Sequence, residues 1–140
     1  MRWAEMDARG RDALIAATVL GQGDGPLLPD AAPTTVDVPR GDELPPYARE
    51  VGAAWRVVER LNDRTLPDGT RITLASLDYA TAARAWHAAF QAATGQATTG
   101  SARAWTAGAW STSAADAICQ AALLVLDYDL DALPAVGPPR

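Results

Sequence analysis

One cysteine, Cys119, and one histidine, His87, are the chain's only candidates for a thiol nucleophile and its imidazole base. Cys119 stands among Ile118, Ala122 and Leu123, an apolar setting that raises a thiol pKa and blocks access. His87 has no second histidine to work with. Both read as structural residues, and they cannot build a cysteine- or histidine-based zinc cage. Asp127, Asp129 and Asp131 alternate like the opening of a calcium loop. Leu133 and Pro134 follow, without the glycine and distal glutamate that such a loop needs. Gly21-Gln22-Gly23-Asp24-Gly25 is glycine-rich, but it follows a helical pattern and leads into no Gly-Lys-Ser/Thr, so it is not a phosphate cradle. The expectation is no catalytic set, no metal and no cofactor. A metal-dependent phosphodiesterase using the aspartates is the enzyme alternative.

Arginine and tryptophan carry the recognition chemistry. Arg56, Arg60 and Arg64 recur at i, i+4 and i+8, with Arg49 seven residues before Arg56. Stacked guanidinium groups repel unless an anion answers them. Glu59 and Asp63 answer some, which makes an ordinary solvated face. The sharper alternative is a phosphate or carboxylate on a ligand, which suits the guanidinium fork. Of the five tryptophans, Trp55 reads as core. Trp3, Trp86, Trp105 and Trp110 cannot all be. Arg84 with Trp86 and Arg103 with Trp105 repeat an arginine two positions before a tryptophan. On a strand, such a pair could stack a base and hold its phosphate. Core or subunit packing is the plainer alternative. The register of the hairpin decides whether Trp86 and Trp105 share a face.

The elements that must position these residues follow from patterning. The 140 residues make one domain with enough length for a core. The net charge of -5 argues against binding to a nucleic-acid backbone. No apolar run approaches the ~20 residues of a membrane span. The first residues lack a secretory pattern, so a cytoplasmic location is expected. All 12 basic residues are arginine and alanine occurs 31 times, a coding bias that weakens alanine as a helix signal. Residues 3–20 read as a helix, with Gly10 as a break near its start. Residues 22–46, rich in proline and glycine, read as a long loop, an arm or a lid. Residues 47–63 are the clearest helix, with Val51, Ala54, Trp55, Val58 and Leu61 as its apolar stripe. Leu66 to Gly69 is a turn.

Residues 70–77 read as a strand with Ile72 and Leu74 on one face. Residues 82–93 fit a helix or a strand. Ala-Arg-Ala-Trp-His-Ala at 83–88 recurs as Ala-Arg-Ala-Trp-Thr-Ala at 102–107 around a polar loop, which favours a strand for both and a hairpin between them. Residues 113–126 form the last helix, opened by Ser113 with Asp116 three residues on. It is apolar nearly all round, so it should be buried on several sides, against the sheet and against a helix or a second subunit. Residues 127–140 should fray.

Three segments carry a resemblance. Gly10-Arg11-Asp12-Ala13-Leu14-Ile15-Ala16 leads to Val19-Leu20-Gly21. Pro46-Tyr47 runs through Ala53-Ala54-Trp55-Arg56-Val57-Val58-Glu59 to Leu61. Ala117-Ile118-Cys119-Gln120-Ala121-Ala122-Leu123 closes the set. In this order they resemble the phage alpha-beta-alpha sandwich domain family and cover about a third of the chain. The resemblance implies a small phage or prophage protein with helices packed on an antiparallel sheet. It carries over no catalytic residue.

The expectation is an α+β, alpha-beta-alpha sandwich of about three helices on about three antiparallel strands. It would be a homo-oligomer in the host bacterial cytoplasm. The leading functional expectation is binding and sequestration of a small nucleotide-like ligand, such as a host immune signal, through Arg56, Arg60, Arg84, Trp86, Arg103 and Trp105. The alternative is a protein-interaction module that inhibits or tethers a host protein, with the tryptophans as its contact residues.

Overall fold

The computed structural model describes residues 2–20, 35–38, 45–63, 69–94, 104–126, 128–133 and 135–139. A 3-10 turn, Trp3–Glu5, precedes helix α1, Ala8–Ile15, and a π-helical turn continues it over Ala16–Leu20. Strand β1 is Thr35–Val38, and α2 is Val51–Asp63. A meander of β2, Thr70–Ala80, β3, Ala85–Thr94, and β4, Ala104–Ser111, leads into α3, Ala114–Val125. Strand β5 is Ala135–Pro139. The three central strands pair antiparallel in the order β2-β3-β4. This is the expected α+β class, with helices packed on a three-stranded antiparallel sheet. Residues 85–94 are strand, and 104–111 extend the echoed segment into its partner.

Directly opposed residues of antiparallel strands share a face. Trp86, Ala88, Phe90 and Ala92 of β3 therefore share a face with Ser111, Ala109, Ala107 and Trp105 of β4. On β2, Ile72 and Leu74 pair with Ala92 and Phe90. A bulge at Ala75 then shifts the parity, so Leu77 and Tyr79 join the same face opposite Ala88 and Trp86. This is the core face. Helix α3 lies on β3 and β4, and α2 packs on β2 and α3. Phe90, Ile72, Ile118, Leu123 and Leu126 are fully enclosed there. The opposite face carries no described helix, and Arg71, Thr73, Asp78, Gln91, Thr106, Gly108 and Trp110 are exposed on it.

Nine of the twelve residues of α3 are buried within one chain, against the sheet, against α2 and beside Trp3. Its enclosure therefore gives no reason for a second subunit. The Ser113 hydroxyl caps it by accepting from the Asp116 amide at 3.3 Å. At its other end the Tyr128 amide donates to the Leu123 carbonyl at 2.9 Å, and the Trp105 indole to the Val125 carbonyl at 3.2 Å.

Four expectations change. The first helix is three pieces, because Asp7 caps a new start by accepting from the Gly10 amide at 2.7 Å. The buried stripe of α2 is Ala54, Val57, Val58 and Leu61, which puts Val51 and Trp55 on its outer side. The 22–46 stretch contains β1, and the tail contains β5; the two pair in parallel. The tail is also tied down by the Trp3 amide, which donates to the Leu130 carbonyl at 2.9 Å, and by buried Leu133. The remainder of 22–46, with the glycine run, lies outside the described residues apart from 45–46. So do 64–68; Gly69 takes a φ of +87°, which glycine tolerates without strain.

The bulge makes an unusual prediction. Deleting Ala75 leaves every β2–β3 pairing and both faces intact, so melting temperature should change little. Deleting Thr73 turns Ile72 or Leu74 out of the core and should cost about 2–5 kcal/mol, read by thermal or urea unfolding.

Candidate functional site

Two places in the fold gather chemistry. The first is a polar junction under α3. The Asp12 carboxylate on α1 is 1% exposed. It accepts from the Ala48 amide at 2.9 Å and from the Arg49 guanidinium at 2.9 and 3.3 Å. Asp116, in the first turn of α3, accepts from the Trp3 indole at 3.0 Å, from Arg11 at 3.3 Å and from Gln120. The Arg11 guanidinium also lies over the Trp3 ring, 5.2 Å from its centre. Between the carboxylates, the Cys119 thiol donates to the Tyr47 carbonyl at 3.2 Å. Residues from α1, from the turn before α2 and from α3 thus meet at one point.

Burial pushes the Cys119 thiol well above its ordinary 9.0, and the Asp116 and Asp12 charges add to the shift. Burial also raises the Tyr47 phenol, against the neighbouring Arg56 guanidinium, which hydrogen-bonds it. A protonated, enclosed thiol is inert. The junction ties α1, the turn before α2 and α3 together, and it is structural.

The second place is the open face of the sheet. Asp78, His87 and Trp110 stand side by side in one row across β2, β3 and β4. The His87 and Trp110 rings lie 4.7 Å apart, tilted by 44°. His87 leans over Gly108, where a Cβ atom would come within 2.7 Å of its Nε2. Only glycine lets the imidazole take this place. Trp110 remains 55% exposed. The next row is small, Ser76, Ala89 and Gly108, and the row after it is Thr73, Gln91 and Thr106. The result is an aromatic ledge at the head of a shallow polar track, with Arg71 near the far end.

The expected site residues are not brought together. Trp86 and Trp105 do share a face, but it is the core face. They pair with Ser111 and Ala92, six residues apart along β3, about 20 Å. They bracket α3, Trp86 at its N-terminal end in edge contact with Tyr79 at 5.2 Å, and Trp105 at its C-terminal end. Arg84 is in the β2–β3 turn with a φ of +50°, so it does not share a strand face with Trp86. Arg103 and Arg64 lie outside the described residues. Arg56 is exposed on α2 beside Tyr47, and Arg60 is half-buried one turn on. Trp55, expected in the core, is 44% exposed. The signal for the open-face site was Gly108 inside a strand, which marks a close approach.

Among the described residues, no group of three His, Cys, Asp or Glu side chains is placed to hold a metal ion. Nor is any described helix long and apolar enough to cross a membrane. Compared with known family profiles, curated proteins and solved structures, the chain matches none.

The raised thiol has a consequence for stability. The unfolded thiol ionises from about its ordinary 9.0, while the folded one holds its proton to higher pH. Its contribution is therefore complete below pH 9 and is lost as pH climbs toward the folded value. Melting temperature should fall as pH rises above 9. The fall should be shallower in Cys119→Ala, measured by circular dichroism.

Proposed function

We propose that the protein binds without catalysis, using the open sheet face at its Trp110–His87 end to hold a small, flat, nucleotide-like ligand. The observation that carries this reading is the exposed Trp110 ring steadied from one side by His87 over Gly108. An indole fixed in place and open to solvent is a stacking platform for a base, at low entropic cost. The imidazole beside it supplies hydrogen-bonding nitrogens. Arg84 stands in the turn at the same end of the sheet and gives a fixed positive charge for a phosphate. The polar track of Ser76, Thr73, Gln91 and Thr106 extends from the ledge for a larger ligand, such as a linked or cyclic dinucleotide. The phage resemblance gives such binding a use, the sequestration of a nucleotide signal of host immunity.

A second reading is favoured by a separate observation. Val51 and Trp55 are exposed one turn apart on α2, at 50% and 44%. A paired apolar contact of this kind fits a protein partner that the chain would inhibit or tether. A host protein retained by the wild type and lost in Trp55→Ala, with Trp110→Ala unaffected, selects this reading.

The ligand reading is tested by calorimetric titration with mononucleotides and with linear and cyclic oligonucleotide signals. One class binds the wild type. Trp110→Ala weakens it about 5- to 150-fold, the loss of one stacked base at ~1–3 kcal/mol. Trp105→Phe, which removes the indole hydrogen bond to Val125 on the opposite face of the sheet, keeps its affinity. Failure of every class to bind the wild type overturns the reading.

A further inference from the structure

The aromatic ledge on the open face has a charged neighbour. Asp78 of β2 stands directly opposite His87, and His87 stands opposite Trp110. The imidazole therefore lies between a carboxylate and an indole in one row of the sheet. Neighbouring strands are about 4.8 Å apart, so two spacings, about 10 Å, separate Asp78 from Trp110 along that row. The chain on both sides of the row is described: residues 81–84 join β2 to β3, and 112–113 lead from β4 into α3. Asp78 is exposed and forms no ion pair with a described residue. Strands β3 and β4 contain no aspartate, glutamate or arginine. Arg71, the other charged residue of β2 on this face, is at the far end of the strand. Asp78 is thus the carboxylate that meets whatever lies across the ledge.

We propose that Asp78 makes the ledge selective for guanine, accepting hydrogen bonds from its N1–H and its N2 amino group while the base stacks on Trp110. The selection rests on the ledge binding a nucleotide at all. A carboxylate offers two acceptor oxygens side by side and no donor. Guanine is the one common base whose pairing edge sets two donors next to each other. Adenine and cytosine each place an amino group beside a ring nitrogen that accepts, and its lone pair is repelled by the carboxylate. Uracil and thymine hold one N–H between two carbonyls. A charged acceptor also makes stronger hydrogen bonds than a neutral one. The two fused rings of a purine reach from the indole across the imidazole toward β2 better than the single ring of a pyrimidine.

Calorimetric titration of the full chain with four nucleoside monophosphates tests the selection, because they share ribose and phosphate and differ only in the base. The wild type binds GMP more tightly than AMP by about 5- to 150-fold, the discrimination of one bidentate pair. IMP, which lacks only the N2 amino group, falls between them. XMP, with a carbonyl in place of that amino group, binds more weakly than GMP. In Asp78→Asn the order of GMP and XMP reverses, since the carboxamide accepts from N1–H and donates to the new carbonyl. A purely structural role for Asp78 would weaken all four alike. The ligand series on the wild type needs no variant to fold, and circular dichroism checks that the variant does. Equal affinity of the wild type for all four overturns guanine selection and leaves a general stacking ledge. An Asp78→Asn variant that keeps the wild-type order overturns it as well. So does failure of all four to bind, whereas failure of every nucleotide class, larger ones included, removes the nucleotide reading itself.

Discussion

Helix α3 is apolar around almost its whole circumference, and nine of its twelve residues are buried. Most of the structure answers that constraint. The sheet takes one side, α2 and the first turn take the others, and the two ends are closed by side chains from distant segments. A helix in such a setting has no water to satisfy its terminal groups. Ser113 and the Trp105 indole supply partners at opposite ends. The buried Asp116 carboxylate is tolerated because Trp3, Arg11 and Gln120 all donate to it. Asp12 does the equivalent work one layer out, fastening the turn before α2 to α1.

This constraint decides where the aromatic residues go, and so where recognition can occur. Trp3, Trp86 and Trp105 are used around α3. Trp110, one parity step away on β4, has no described helix above it and keeps its ring exposed. The duplicated Ala-Arg-Ala-Trp unit is thus a packing device. Placed on antiparallel strands, it sets its two tryptophans at opposite ends of one helix. The chemistry left over for a ligand gathers on the face the helices do not cover.

Much of the fold was legible in the sequence because it rests on local rules. The Ser113–Asp116 start, the all-round apolarity of α3 and the hairpin echo each state their structure plainly. The open-face site was harder to read. Whether Trp110 points in or out depends on strand parity, and on β2 that parity is reset by a bulge at Ala75 that no residue type announces. The stripe of α2 was misread by one position. Trp55 looked like core because it is large and falls at helical spacing, yet Val57 holds the inner position. Arg84 was assigned to a strand that begins one residue later. The tail and β1 escaped notice because each is irregular alone and forms a strand only against the other.

The most direct test of the division between structural and binding tryptophans is an NMR titration that follows the indole N–H resonances as nucleotides are added. The account predicts that the Trp110 resonance moves, while those of Trp3 and Trp105, bonded to Asp116 and Val125, stay in place. Movement of the Trp86 and Trp105 resonances with Trp110 unmoved would contradict it.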